Sequence, residues 1–149
     1  MTIIPDTAQA AAREAQRRAD YIRGLRALAD LLADNDDLTL PYQGHAGLEK
    51  TVFISGQSPI TQTLLLVQAM DEPPGLSLQR QSSTLTWLDV KGRIAGLHLT
   101  LHLRAQEVCE MRVVEVYQAA DGSKHEVKEF VIPAELLAAC RPESLEGAR

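Results

Sequence analysis

Leucine alternates with polar residues along positions 97–104, and this pattern limits what the chain can fold into. Leucine fills the odd positions, and the even positions hold His98, Thr100, His102 and Arg104. Side chains of a strand point alternately to its two faces, so the pattern predicts a strand with one buried and one solvated face. The fold must therefore contain a sheet whose leucine side is covered by other elements.

Other segments of the second half also have strand patterns. They comprise residues 76–80, 83–90, 111–119 and 125–132. Asp121 and Gly122 lie between the last two segments, and an Asp-Gly pair in this position predicts a hairpin. Lys91 and Gly92 are predicted to form a tight turn before the leucine strand, and Gly96 is interpreted as a bulge or bend.

A long helix is predicted at the start of the chain, from a cap at Asp6 or Thr7 to about Asp34. The segment is rich in Ala, Leu, Arg and Glu, which favour helices. At about 100° per residue one apolar stripe forms, and it is predicted to face the core. Its members are Ala11, Ile22, Leu25, Ala29 and Leu32, with Leu28 at the edge. Gly24 weakens the helix by ~1 kcal/mol relative to alanine.

A second, shorter helix is predicted after Ser58, which suits the cap position, and Pro59, which suits the first turn. Residues 60–70 would form it, with Ile60, Leu64, Val67 and Gln68 along one side and Leu65 beside them. The run TLLLV alone would equally suit a buried strand. The sequence DEPPG at 71–75 ends it. Short strands are predicted at 38–40 and 51–55, and one or two helical turns after Pro133.

The predicted fold class is α+β. It has an antiparallel meander sheet of four to five strands, packed against the long N-terminal helix and the shorter second helix. One domain is expected over residues 1–149, since the length suits a single core, with frayed ends at about 1–6 and 141–149.

Composition and charge exclude several classes of protein. The chain is 45% hydrophobic and 23% charged, which is ordinary for a globular protein. Its net charge of −5 does not favour general nucleic-acid binding. We find no secretory signal and no long apolar run, so we expect a cytoplasmic protein without a membrane partner. Cys109 and Cys140 fit no metal or redox spacing, and two reduced thiols are expected.

Candidate motifs do not meet the spacing that their chemistry requires. His98 and His102 lie four strand residues apart, about 13 Å, which is too far to share one metal ion. Ser58 follows a strand as a nucleophile would, but Pro59 and Ile60 depart from the required Gly-x-Ser-x-Gly pattern. The acidic run 34–37 lacks the glycine and glutamate of a calcium loop. We therefore predict no catalytic, cofactor or metal site.

Two further features have a simpler structural interpretation. The Gly-x-x-Gly segment at 44–47 resembles a nucleic-acid clamp, but it is better interpreted as a turn. Trp87 shares a face with Leu85 and Asp89 in an alternating strand, and it is predicted to be a core residue.

Arginines give the first helix a local basic excess. They are Arg13, Arg17, Arg18, Arg23 and Arg26. They do not align on one face at ~100° per residue, as a nucleic-acid reader would require. The first turns of the helix are therefore expected to overhang the core, where these arginines are either solvated or in contact with a partner. We retain all five as candidate partner-binding residues.

Residues 105–116, AQEVCEMRVVEV, follow the leucine strand and resemble a loose group of small uncharacterised proteins from actinobacteria and their phages. The Arg/Ala/Leu-rich helix that leads into Leu38-Thr-Leu-Pro41-Tyr42 is similar too. The resemblance implies an origin on a phage or mobile element. It implies no activity and no site residue.

Three functions remain open. The first, which we favour, is a non-enzymatic protein that binds another protein, as an accessory or inhibitor protein of a phage or mobile element. The second is a nucleic-acid-binding protein that uses the basic patch on the N-terminal helix. The third is a small enzyme whose site assembles only in three dimensions, from residues such as His45, Asp89, His98, His102 and Glu115. A homodimer through the first helix or an edge strand also stays open.

Overall fold

In the computed structural model, residues 7–42 and 49–144 are described, and they form helices and strands in this order. The elements are α1 (Thr7–Asp34), β1 (Lys50–Phe53), α2 (Pro59–Gln68), β2 (Gly75–Arg80), β3 (Thr86–Ile94), β4 (Leu97–Arg104), α3 (Ala105–Val108), β5 (Glu110–Gln118), β6 (Lys124–Val131), α4 (Ala134–Ala139) and β7 (Arg141–Ser144). The α+β class is confirmed.

Five strands form the main sheet, in the order β1-β4-β3-β2-β7. The central strands β2, β3 and β4 form an antiparallel meander, whereas β1 runs parallel to β4 and β7 parallel to β2. Strands β5 and β6 do not join this sheet and pair only with each other within the part of the chain described. The prediction of frayed residues from 141 onward is wrong for residues 141–144, which form β7.

The leucine strand is confirmed as β4, and all its leucines are buried. They belong to the hydrophobic core, together with Leu76 of β2, Leu88 and Val90 of β3, and Leu136 of α4. Helix α1 lies against β3 and β4. The leucine side of the sheet is thus covered by helices, while the side chains at the alternate positions form its other, open face.

The turn before β4 differs from the predicted one. Strand β3 continues through Lys91 and Gly92, and the chain reverses at Ala95 and Gly96, whose φ angles are 48° and 88°. The Asp71 carboxylate accepts hydrogen bonds from both backbone N–H groups of this turn, at 2.8 and 2.9 Å. At Gly92 a Cβ would lie 2.6 Å from the Met70 sulfur, so this glycine makes room for the side chain of Met70, which follows α2.

The core-facing side of α1 also differs from the predicted stripe. Gly24 and Leu28 are its buried residues, whereas Ile22, Ala11 and Ala29 are exposed. This side faces the sheet because α1 approaches β4 closely at Gly24, where a Cβ on the glycine would come within 2.1 Å of Leu97 Cβ. Residues 7–19 are all exposed, so the N-terminal half of α1 overhangs the sheet.

Helix α2 buries two polar side chains that the apolar pattern did not select. Gln62 accepts hydrogen bonds from the backbone N–H and the hydroxyl of Thr39, both at 2.8 Å. Its amide donates to the backbone oxygens of Ser55 and Gln57. Thr63 donates to the Pro59 oxygen. Residues 38–40 form no strand; the Thr39 N–H donates to the Gln62 side chain instead, and the Thr39 hydroxyl oxygen accepts a hydrogen bond from the Ser55 N–H.

Candidate functional site

The β5–β6 hairpin is the least covered pair of strands in the described chain. All nine residues of β5 are exposed. Its exposed large apolar side chains are Met111, Val113, Val114, Val116 and Tyr117. Phe130 of β6 packs against the hydrophobic core, but the β5 side chains are left uncovered. An isolated two-stranded sheet has marginal stability in water, and so much exposed apolar surface is unusual for a monomer.

A β-bulge arranges these side chains on the hairpin. Val113 pairs with Lys128 and Glu115 pairs with Val127, which leaves Val114 as the extra residue. Residues that pair across two strands point to the same face of the sheet. Alternate residues of one strand also share a face, so Phe130, Lys128 and Glu126 of β6 lie on one face of the hairpin. Their partners Met111, Val113 and Val116 therefore form an apolar row along β5, which we call the β5 apolar face.

The opposite face of the hairpin mixes charged and apolar side chains. Arg112 pairs with Glu129 across the strands and forms an ion pair with it. Glu115 lies on the same side, since its partner Val127 alternates with Lys128. Strand β5 therefore presents the apolar row on one face and Glu110, Arg112, Glu115 and Tyr117 on the other.

Neither outer edge of the hairpin is paired among the described residues. Natural proteins protect such edges with lysine, proline or bulges. Strand β6 carries Lys124 and Lys128, whereas β5 contains no lysine or proline and relies on the bulge at Val114 and the charges of Glu110, Arg112 and Glu115. The edge of β5 is thus the less protected of the two.

The five candidate arginines of α1 do not form one surface. Arg13 and Arg17 line a groove together with Arg93 and His98 of the sheet. Arg23 lies beside this groove, where its guanidinium donates to Asp20 at 2.5 Å and to the Ala95 oxygen at 3.3 Å. The remaining two, Arg18 and Arg26, are exposed and do not line it.

Asp89 and His102 come together on the open face of the sheet. They are cross-strand partners on β3 and β4, and His102 Nδ1 lies 2.5 Å from Asp89 Oδ1. His98 lies four residues before His102 on β4, opposite Arg93, and is exposed, while Glu115 belongs to the separate hairpin. His45 lies outside the described residues.

Aromatic rings surround the Asp89–His102 pair. Phe53 stacks on the His102 ring with centroids 4.9 Å apart, and Trp87 lies 5.6 Å from it. Tyr42 contacts Phe53 edge-on at 5.5 Å. The prediction that Trp87 belongs to the core is wrong, because Trp87 alternates with buried Leu88 and lies half-buried on the open face.

The simplest role of this pair is structural. Asp89 is buried, and a buried carboxylate needs a hydrogen-bond donor, which the His102 imidazole supplies. Among the described residues, no three His, Cys, Asp or Glu side chains are placed to hold a metal ion. The pair thus gives no specific support to the enzyme hypothesis.

The two cysteines are both free. Loss of solvation on burial raises the pKa of the Cys109 thiol to about 11, and burial raises the pKa of Cys140 as well. A raised pKa keeps a thiol protonated and poorly nucleophilic at neutral pH.

The remaining motifs have structural positions. Ser58 is the N-cap residue of α2, with a left-handed φ of 54° and no capping hydrogen bond from its side chain. Asp34 is the last residue of α1. The Gly-x-x-Gly segment at 44–47 lies outside the described residues.

Comparison with known proteins assigns no family. The chain matches no protein-family model, and searches of curated proteins and of solved structures find no match. No helix among the described residues is long and apolar enough to cross a membrane.

Proposed function

We propose that this protein acts by binding another protein through the outer edge and the apolar face of β5. The observation that carries the proposal is the exposure of every β5 residue on a strand rich in large apolar side chains. An added strand would hydrogen-bond to the free backbone edge and cover the apolar side chains, a mode that many peptide-binding domains use.

The energetic reason is the apolar surface that a partner would remove from water. Burial of apolar area contributes about 25 cal/mol per Å², so fully burying a valine or methionine is worth roughly 1.5–3 kcal/mol. The row Met111, Val113 and Val116 supplies several such side chains on one face. Backbone pairing alone would not select a partner, whereas this row requires one with matching apolar residues.

The charges on β5 define the partner further. Arg112 and Glu115 lie on the face opposite the apolar row. Like charges directly across two strands destabilise their pairing, and opposite charges stabilise it. The partner is therefore an extended segment that places apolar residues beside the row and an acidic and a basic residue beside Arg112 and Glu115.

We place this binding activity in an accessory or inhibitor protein of a phage or mobile element. This role rests on the resemblance of residues 105–116, which include most of β5. An inhibitor needs no catalytic site, because it acts by occupying a surface of its target.

Selection of displayed peptides on the immobilised chain tests the proposal. Enriched peptides should alternate apolar and polar residues, and should slow amide exchange along β5 more than along the main sheet. Enriched peptides that leave exchange along β5 unchanged would contradict it. Sedimentation of the chain alone shows whether a second copy occupies the edge, and a dimer that competes with the peptides would replace the foreign partner in this proposal.

A further inference from the structure

A groove lies between the overhanging half of α1 and the β3–β4 turn. Arg13, Gln16, Arg17, Asp20 and Tyr21 line it from the helix, and Arg93, Gly96, Leu97 and His98 line it from the sheet. Its volume is about 400 Å³, which lies within the range of small-molecule sites. None of its residues belongs to the β5–β6 hairpin, so the inference does not depend on the proposed protein-binding role.

Arginine dominates the charge of the groove. Three guanidinium groups line it, from Arg13, Arg17 and Arg93, against the single carboxylate of Asp20. That carboxylate is already engaged, since it accepts hydrogen bonds from Arg23 at 2.5 Å and from Gln16 at 2.9 Å. A chain with a net charge of −5 thus carries a local cationic site.

The cationic groups of the groove are available to a ligand to different degrees. Arg17 pairs with Glu14 at 2.9 Å, but both side chains are more than half exposed. Arg93 lies 3.5 Å from Glu72, a longer contact between two exposed groups. Exposed pairs of this kind contribute little and exchange readily with solvent. Arg13 has no charged partner among the described residues.

We propose that this groove binds the phosphate group of a phosphate ester. A guanidinium forms two parallel hydrogen bonds to a phosphate, and a phosphate offers oxygens to several arginines at once. A single carboxylate has only two oxygens and serves three arginines less well. Two kinds of ligand carry such a phosphate group: a free nucleotide and the backbone of a single-stranded nucleic acid.

The test compares two double variants that remove the same charge from the same helix. R13Q/R17Q alters the groove, whereas R18Q/R26Q alters exposed arginines outside it. The probes are adenosine monophosphate, oligothymidylate and oligoglutamate. We expect R13Q/R17Q to weaken binding of the phosphate probe about tenfold or more, since each charge-assisted hydrogen bond contributes on the order of a tenfold factor. R18Q/R26Q should stay within about twofold of the parent chain, as expected for surface changes outside a site.

The probes distinguish a free nucleotide from a single-stranded nucleic acid. Binding of adenosine monophosphate identifies a nucleotide site. Binding of oligothymidylate alone identifies a single-stranded nucleic acid as the ligand. In that case the slope of the logarithm of the binding constant against the logarithm of the salt concentration should become shallower by about 0.7 for each phosphate contact that R13Q/R17Q removes. Three outcomes would overturn the inference: no binding of either phosphate probe, equal loss in both double variants, or oligoglutamate binding as tightly as the phosphate probes.

Discussion

Gly24 of α1 lies so close to Leu97 of β4 that a Cβ on the glycine would come within 2.1 Å of Leu97 Cβ. The backbone oxygen of Ile94 would lie 2.8 Å away. This contact sets which side of α1 faces the sheet, and it explains a glycine in the middle of a long helix.

Gly24→Ala should therefore destabilise the protein. Helix propensity alone favours alanine by ~1 kcal/mol, but overpacking costs typically 1–3 kcal/mol, and here backbone must move. We expect a net loss of about 1–2 kcal/mol in the free energy of unfolding, measured by urea denaturation. Ala29→Gly, at an exposed position of the same helix, should cost ~1 kcal/mol and serves as the propensity control. A stabilised Gly24→Ala protein would refute the close approach.

Removal of the His102 imidazole should leave the buried Asp89 carboxylate without its partner. The expected cost of His102→Ala is about 2–3 kcal/mol, because an unpaired buried acceptor loses both its hydrogen bond and its solvation. His98→Ala is the matched control, since His98 lies exposed on the same strand and should change stability by no more than about 0.5 kcal/mol. Equal effects of the two substitutions on the urea midpoint would show that the pair is not structural.

Cys109 should react slowly with iodoacetamide at neutral pH. Burial raises the pKa of its thiol from 9.0 to about 11, so the reactive thiolate is scarce below that range. In the Cys140→Ser variant, the alkylation rate should keep rising up to about pH 11. A rate that levels off near pH 9 would show an ordinary exposed thiol.

The same shift predicts the sign of a stability change with pH. The folded state holds the Cys109 proton more tightly than the unfolded chain does. Its contribution is therefore fully present below pH 9.0 and is lost as the pH rises toward 11. Cys109→Ser should remove this part of the alkaline decline, as measured by thermal unfolding across that pH window.

Local patterns were sufficient to predict much of the fold. The strand Leu97–Arg104 follows from the alternation of its own residues, and the end of α1 at Asp34 follows from helix formers giving way to Asn and Asp. Asp121 and Gly122 mark the β5–β6 turn, where Gly122 has a φ of 86°. These features depend on neighbours in the sequence, so the sequence alone specifies them.

The Asp89–His102 pair could not be predicted, because it depends on the position of one turn. A turn at Lys91 and Gly92 would have placed His102 opposite Gln81. The actual turn is held by Asp71, which is distant in sequence, and it brings Asp89 opposite His102. No local pattern near residue 91 signals that contact.

The exposure of β5 was also not predicted. The segment MRVVEVY has the composition of a buried strand, and we assigned it to the main sheet. One sign was present, since the adjacent Val113 and Val114 interrupt the alternation and mark the bulge. Composition does not distinguish a strand covered by its own chain from one that a partner covers.

The most direct test of the proposed function is the affinity of a selected peptide for Val113→Glu, compared with Leu137→Glu. The two side chains are similarly exposed, at 44% and 41%, but only Val113 belongs to the β5 apolar face. Val116→Glu changes a second position of the same face, 59% exposed, so that misfolding of one variant does not decide the result. We predict that both β5 variants lose at least about tenfold in affinity, on the order of one buried apolar side chain, while Leu137→Glu binds as the parent does. Equal affinity of all three variants would contradict a docking site on β5.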